Sequence, residues 1–149
     1  MKQFAFVAEN GLIARVVSPG RDEDYTHGEH YDGLQAIEIE VTEEPGTFLR
    51  TKYRKEGVWK TRPEKPSEFH NWNLQTEGWD LDSAALQERL RFERGQRLYA
   101  SDWTQIADAA LTPEQKTAWQ TYRQALRDVP ANNADITDLN QVVWPTEPQ

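Results

Sequence analysis

The chain contains no cysteine, which removes disulfides, thiolate nucleophiles and cysteine-based zinc sites together. Stability therefore has to come from packing. No apolar run approaches the length needed to cross a bilayer. The opening residues, MKQFAFVAENG, hold an apolar stretch too short for a secretory leader, so cytosolic synthesis and no membrane partner are the expectation. A basic balance is missing as well. With 17 Lys and Arg against 25 Asp and Glu, the net charge of −8 disfavours non-specific attraction to nucleic acid. No nucleophile elbow, phosphate-cradling glycine loop or metalloprotease helix occurs, so neither an enzyme nor a cofactor is expected. Carboxylates are plentiful, but paired-carboxylate glycoside hydrolysis needs a deep cleft on a larger scaffold. There is no internal repeat and no low-complexity tract.

At 149 residues the chain suits one domain or two small modules. Gln3 to Ala8 and Leu12 to Val17 flank Asn10 and Gly11, and Asn followed by Gly between apolar runs predicts an antiparallel hairpin. The polar stretch from Ser18 to Gly33 reads as an excursion loop. His27 and His30 stand there near Asp22, Glu23, Asp24 and Glu29, but no scaffold or third and fourth ligand at a recognised spacing accompanies them. A solvated acidic loop without metal is the reading. Ala36 to Val41 alternates Ile37, Ile39 and Val41 against Glu38 and Glu40, the pattern of a strand with one wet face, ended by a turn at Pro45 and Gly46. Thr47 to Tyr53 and Val58 to Thr61 read as a second hairpin about Arg54 to Gly57. Phe69 to Leu74 and Trp79 to Leu81 read as a third.

Helical signals then take over. Asp82 or Ser83 can cap a helix running from Ala84 to about Ser101. Its apolar residues fall on two faces, with Leu86 and Leu90 on one and Phe92, Tyr99 and Trp103 sharing the other with Gly95. Arg89, Arg91, Arg94 and Arg97 are spread around it and alternate with Glu88 and Glu93, as on a salt-bridged surface. Thr112 followed by Pro113 and Gln115 is a capping box, and Trp119, Tyr122, Leu126 and Val129 recur at helical spacing until Pro130, where the helix is expected to stop. The fold class is therefore α+β. An N-terminal antiparallel β module spans 1–80, a two-helix hairpin 81–130 and an extended arm 131–149. Phe92, Tyr99, Trp103, Trp119, Tyr122 and Leu126 are the expected hairpin core. Asp102 and Asp108 with Arg123 and Arg127 either pair and cap internally, the commoner use, or form a polar patch for a partner. Trp144, after Val142 and Val143 on a polar arm, is either a binding anchor or docked on its own chain.

The same region carries a resemblance. Ser101 to Thr104, Asp108, Leu111, Thr112, Glu114, Gln115, Ala118, Trp119, Tyr122 to Asp128, Pro130 and Val142 to Pro145 follow one another in an order that resembles the bacteriophage tail assembly chaperone family. The resemblance implies a late phage protein that assists tail or tail-fibre assembly in the host cytoplasm. Its partner would be a tail-fibre or tail structural protein, with a multimeric arrangement on a trimeric fibre as one form. On that basis Trp144, Val142, Val143, Arg123, Arg127 and Asp102 are the candidate partner-binding residues. The rival reading is a structural adaptor kept in the virion tail, and a third is glycan binding through Trp59, Trp72 and Trp79.

Overall fold

The computed structural model describes residues 3–18, 20, 24–40 and 45–149. The fold is α+β, with strands in the N-terminal part and the two long helices in the C-terminal part. It divides into two compact units, Met1–Asp80 and Leu81–Gln149, each with its own core.

In the first unit, β1 (Gln3–Val7), β2 (Ile13–Val17), β3 (His30–Tyr31) and β4 (Leu34–Ile39) form an antiparallel sheet in the order β2-β1-β4-β3. β1 is central, and both of its faces are covered. Because side chains alternate along a strand, Phe4 and Phe6 enter one layer with Ala36, Tyr25 and Tyr31, while Ala5 and Val7 enter another with Ile13, Ile37, Ile39 and Phe48. Tyr25 and Tyr31 meet edge to face at 5.2 Å, so the stretch read as an excursion loop contributes a wall of the core. Its end is a hairpin: Asp32 (φ 53°) and Gly33 (φ 78°) make the left-handed pair that joins β3 to β4. Val41, at the end of the expected strand, lies outside the described residues.

The expected strand from Thr47 to Tyr53 is replaced by α1 (Pro45–Thr51), with β5 beginning only at Lys52. Pro45 does not turn the chain. It opens the helix, where its missing N–H is not needed, and the helix, too short to show periodicity, is anchored by the buried Phe48 with Leu49 beside it. β5 (Lys52–Lys55) pairs with β6 (Val58–Thr61), and β7 (His70–Asn73) with β8 (Gly78–Leu81). Gly11 joins the first hairpin to β5. Its carbonyl accepts the Arg54 N–H at 2.8 Å, its φ is +77°, and a Cβ there would stand 2.4 Å from the Arg54 carbonyl oxygen.

Glu77 ties β5, β6 and the turn before β8 together. The Tyr53 hydroxyl donates to it, Lys55 Nζ lies 2.7 Å away and Lys60 Nζ 2.9 Å. The Lys55 hydrogen bond, then those from Tyr53 and Lys60, hold the Glu77 carboxyl down at about 2. Burial, then Glu77, pushes the Tyr53 hydroxyl up to about 12.

The second unit is built on α2 (Ser83–Ala100) and α3 (Pro113–Asn132), which pack on each other. Asp82 Oδ1 accepts the Ala85 N–H at 2.9 Å and starts α2. Thr112 Oγ1 accepts from Gln115 N at 3.2 Å while Gln115 Oε1 accepts from Thr112 N at 2.9 Å, the reciprocal cap of α3. Pro130 does not end that helix, which continues through Asn132. So near the C-terminus the proline removes one hydrogen bond without breaking the last turn, and Asn133 Nδ2 supplies another by donating to the Val129 carbonyl at 2.8 Å. After a short 3-10 turn at Leu139–Gln141, Val142 packs against Leu90 and Val129.

Candidate docking surface

α2 has two apolar faces, and only one of them is covered. At roughly 100° per residue, Leu86 and Leu90 point to one side and both are 0% exposed. Phe92 and Tyr99, seven residues apart and so nearly in line, point to the other. They are 57% and 78% exposed; beyond the end of α2, Trp103 in the 3-10 turn Asp102–Gln105 is 50% exposed and Ile106 after it 56%. Placing Phe92, Tyr99 and Trp103 in the helical core is therefore corrected. Periodicity shows that they share a face, but Leu86 and Leu90 take the side that α3 and the C-terminal segment cover. Trp119, Tyr122 and Leu126 are buried, and Trp103 touches this group by one edge, 5.6 Å from Trp119.

Gly95 lies on the uncovered face between Phe92 and Tyr99. A Cβ built there meets nothing within 4 Å. Glycine in a helix interior costs about 1 kcal/mol relative to alanine, and among the described residues no side chain needs the space. Phe92 and Tyr99 thus form a short apolar strip with a notch between them, flanked by Arg89, whose guanidinium lies 5.6 Å from the Phe92 ring and 3.1 Å from Glu93.

The polar candidates divide differently. Arg123 is 8% exposed. Its Nη1 donates to the Leu98 carbonyl at 2.8 Å and to Ser101 Oγ at 2.6 Å, and its Nη2 lies 2.8 Å from Asp102 Oδ1. An arginine from α3 therefore satisfies the carbonyl end of α2, where positive charge is favoured. That is the internal pairing weighed above, so Arg123 does not face a partner. Arg127 lies exposed, its nearest partner being Gln124 at 3.4 Å.

Trp144 docks on its own chain. It packs against both helical clusters, and the Arg97 guanidinium sits 3.7 Å from its ring centroid. Val142 is buried, whereas Val143 is 86% exposed. A groove of about 580 Å³ along α3 is lined by Ala125, Asp128, Val129, Val143 and Trp144 among others. The structure thus brings Val143 and Trp144 together, pairs Asp102 with Arg123, and leaves Arg127 apart. Ile106 was missed, having no helical period to place it.

Of the three tryptophans in the glycan reading, Trp72 is buried against Tyr53 at 4.7 Å and Trp59 packs on Phe48 at 5.1 Å. Trp79 borders a cleft of about 540 Å³. His27 Nδ1 accepts the Glu38 N–H at 3.1 Å, and Asp22 and Glu23 lie outside the described residues. Among the described residues no three metal-ligating side chains gather, and no helix is long and apolar enough to cross a membrane.

Comparison with known proteins adds one match. Residues 87–149 fit the family model described as phage tail assembly chaperone protein. That span contains the exposed Phe92, Tyr99, Trp103 and Ile106 and the docked Trp144. No curated protein and no solved structure matches the chain.

Proposed function

We propose that this chain, matched over residues 87–149 by the phage tail assembly chaperone family, is a non-enzymatic assembly chaperone that holds a tail or tail-fibre subunit before incorporation. The observation that carries the reading is the uncovered face of α2. Phe92 and Tyr99 lie nearly in line on it, each more than half exposed, and Trp103 and Ile106 in the stretch that follows the helix are also at least half exposed. Covering each is worth on the order of 1–2 kcal/mol, enough in sum to drive a specific association but not a permanent one once ordering is deducted. Such a strip masks apolar surface on an unassembled subunit until oligomerisation hides it, which prevents premature association. The work would take place in the host cytoplasm, with several copies engaged where the fibre is trimeric.

Co-expression with the fibre subunit of the same phage tests this. Soluble fibre should rise with the wild-type chain and fall back with Tyr99→Asp, whose side chain is already exposed and whose loss leaves the core intact. Equal fibre solubility with and without the chain would sink the proposal. The adaptor reading is favoured by one observation, that the chain consists of two units with separate cores. Mass spectrometry of purified particles separates the two readings: stoichiometric retention supports an adaptor, absence a transient chaperone.

A further inference from the structure

Charge is distributed unevenly in this acidic chain. Residues 50–65 (RTKYRKEGVWKTRPEK) hold seven of its 17 Lys and Arg and only two of its 25 Asp and Glu. Some of that charge is used internally. Lys55 and Lys60 meet Glu77, Lys52 donates to the Thr61 hydroxyl at 2.9 Å, and Arg54 lies 5.7 Å from the Trp59 ring. Arg62 and Lys65 hydrogen-bond to carbonyls, Lys65 Nζ donating to that of Glu68 at 3.3 Å, and with Arg50 they converge on a cleft of about 540 Å³ completed by Thr51, Glu64 and Trp79. Among the described residues none of the three cations forms an ion pair with a carboxylate, Glu64 on the same rim included.

The cleft is held in shape rather than collapsed. Arg62 Nε donates to the Arg50 carbonyl at 2.9 Å and its Nη2 to the Leu49 carbonyl at 3.4 Å, so the guanidinium closes the end of α1. Trp79 Nε1 donates to the Pro63 carbonyl at 3.0 Å, which fixes the indole, and Arg62 and Lys65 lie 5.2 Å and 5.8 Å from its ring. Burial lowers the Arg62 pKa.

We infer that this cleft, outside the span matched by the chaperone family, is a docking site for an acidic peptide segment of a partner protein. Arg50 and Lys65 receive its carboxylates, and Trp79 receives an adjacent apolar side chain. A carboxylate suits the guanidinium fork. The volume lies within the range of sites that take several groups at once and exceeds the needs of a bare anion. Extended nucleic acid is disfavoured because the rest of the chain is strongly negative, whereas a short segment meets only the local patch.

The test uses the full chain and a short synthetic peptide that alternates Asp and Glu with Phe. The readout is the Trp79 indole N–H resonance, identified by its loss in Trp79→Phe. The peptide should shift that resonance, added salt should weaken the effect, and Arg50→Ala with Lys65→Ala should reduce affinity about tenfold or more while leaving the thermal midpoint unchanged. Arg62 is left intact because it closes α1. An unmoved indole resonance, an affinity unchanged in the double variant, or equal binding of the Asn/Gln version of the peptide would overturn the inference. Inorganic phosphate giving the same shift at the same concentration would also overturn it, by reassigning the cleft to a phosphate-bearing ligand.

Discussion

Replacing Gly95 by alanine should change folding and partner binding in opposite directions. The residue lies inside α2, where glycine is disfavoured relative to alanine by about 1 kcal/mol. Most glycines that persist in helices do so because a neighbour needs the room, but a Cβ at Gly95 meets no atom within 4 Å. The free chain should therefore gain nearly the full amount. For a unit the size of Leu81–Gln149, that corresponds to a rise of about 4–8 °C in the thermal midpoint, read by circular dichroism or calorimetry. Binding should move the other way. A methyl group in the notch between Phe92 and Tyr99 holds a docked backbone away from both rings, so capture of the proposed tail or fibre subunit in a pull-down should weaken while the chain itself becomes more stable. A general loss of structure cannot produce that combination. Destabilisation by Gly95→Ala would show that an element of this chain already fills the space, and unchanged capture would show that the notch is not part of the interface.

Other expectations follow from the two cores. Arg123→Ala should cost about 2–4 kcal/mol in chemical denaturation, since charge-assisted hydrogen bonds contribute about 1.5–3 kcal/mol each and the change removes those to the Leu98 carbonyl, which keeps only its bonds from Ser101, and to the Ser101 hydroxyl. Asp102→Asn should cost under about 1 kcal/mol, because its carboxylate is 58% exposed; equal losses would mean that the ion pair, not closure of the helix end, is what matters. Gly11→Ala should destabilise far more than Gly33→Ala. Both have φ near +78°, at +77° and +78°, but only at Gly11 does a Cβ stand 2.4 Å from a carbonyl oxygen. Glu77 has a depressed carboxyl pKa, about 2 against the ordinary 4.5. Its contribution is present in full above the ordinary value and is lost as pH falls from there towards 2. Glu77→Gln should flatten the acid limb of a stability-versus-pH curve, and an unchanged limb would contradict the Tyr53, Lys55 and Lys60 arrangement.

Much of this was legible in the sequence where local chemistry decides the outcome. Asn10 and Gly11 turn the first hairpin, Ile37 and Ile39 alternate into the core, and Thr112, Pro113 and Gln115 cap α3, because each depends on a few neighbouring residues. Asp32 and Gly33 carried the same turn chemistry as Asn10 and Gly11, but their flanking strand, His30–Tyr31, is too short to alternate visibly. α1 was hidden because Thr47 to Tyr53 is rich in residues that favour strands, and only the position of Pro45 spoke for a helix. The candidate site was half legible. Its two-faced pattern on α2 is readable from Leu86, Leu90, Phe92 and Tyr99, but which face is covered depends on Val129 and Val142, far along the chain. Arg123 shows the same limit: a charged side chain is counted as exposed until the helix end it closes is known.

The central claim is that the exposed Phe92 and Tyr99 face of α2 meets a tail protein, and site-specific photocross-linking tests it most directly. A photoreactive residue at Gln96, beside the notch, should cross-link to the tail or fibre subunit when the two are co-expressed, and the same group at Gln124, on the exposed side of α3, should not. Cross-linking from Gln124 and none from Gln96 would contradict the account.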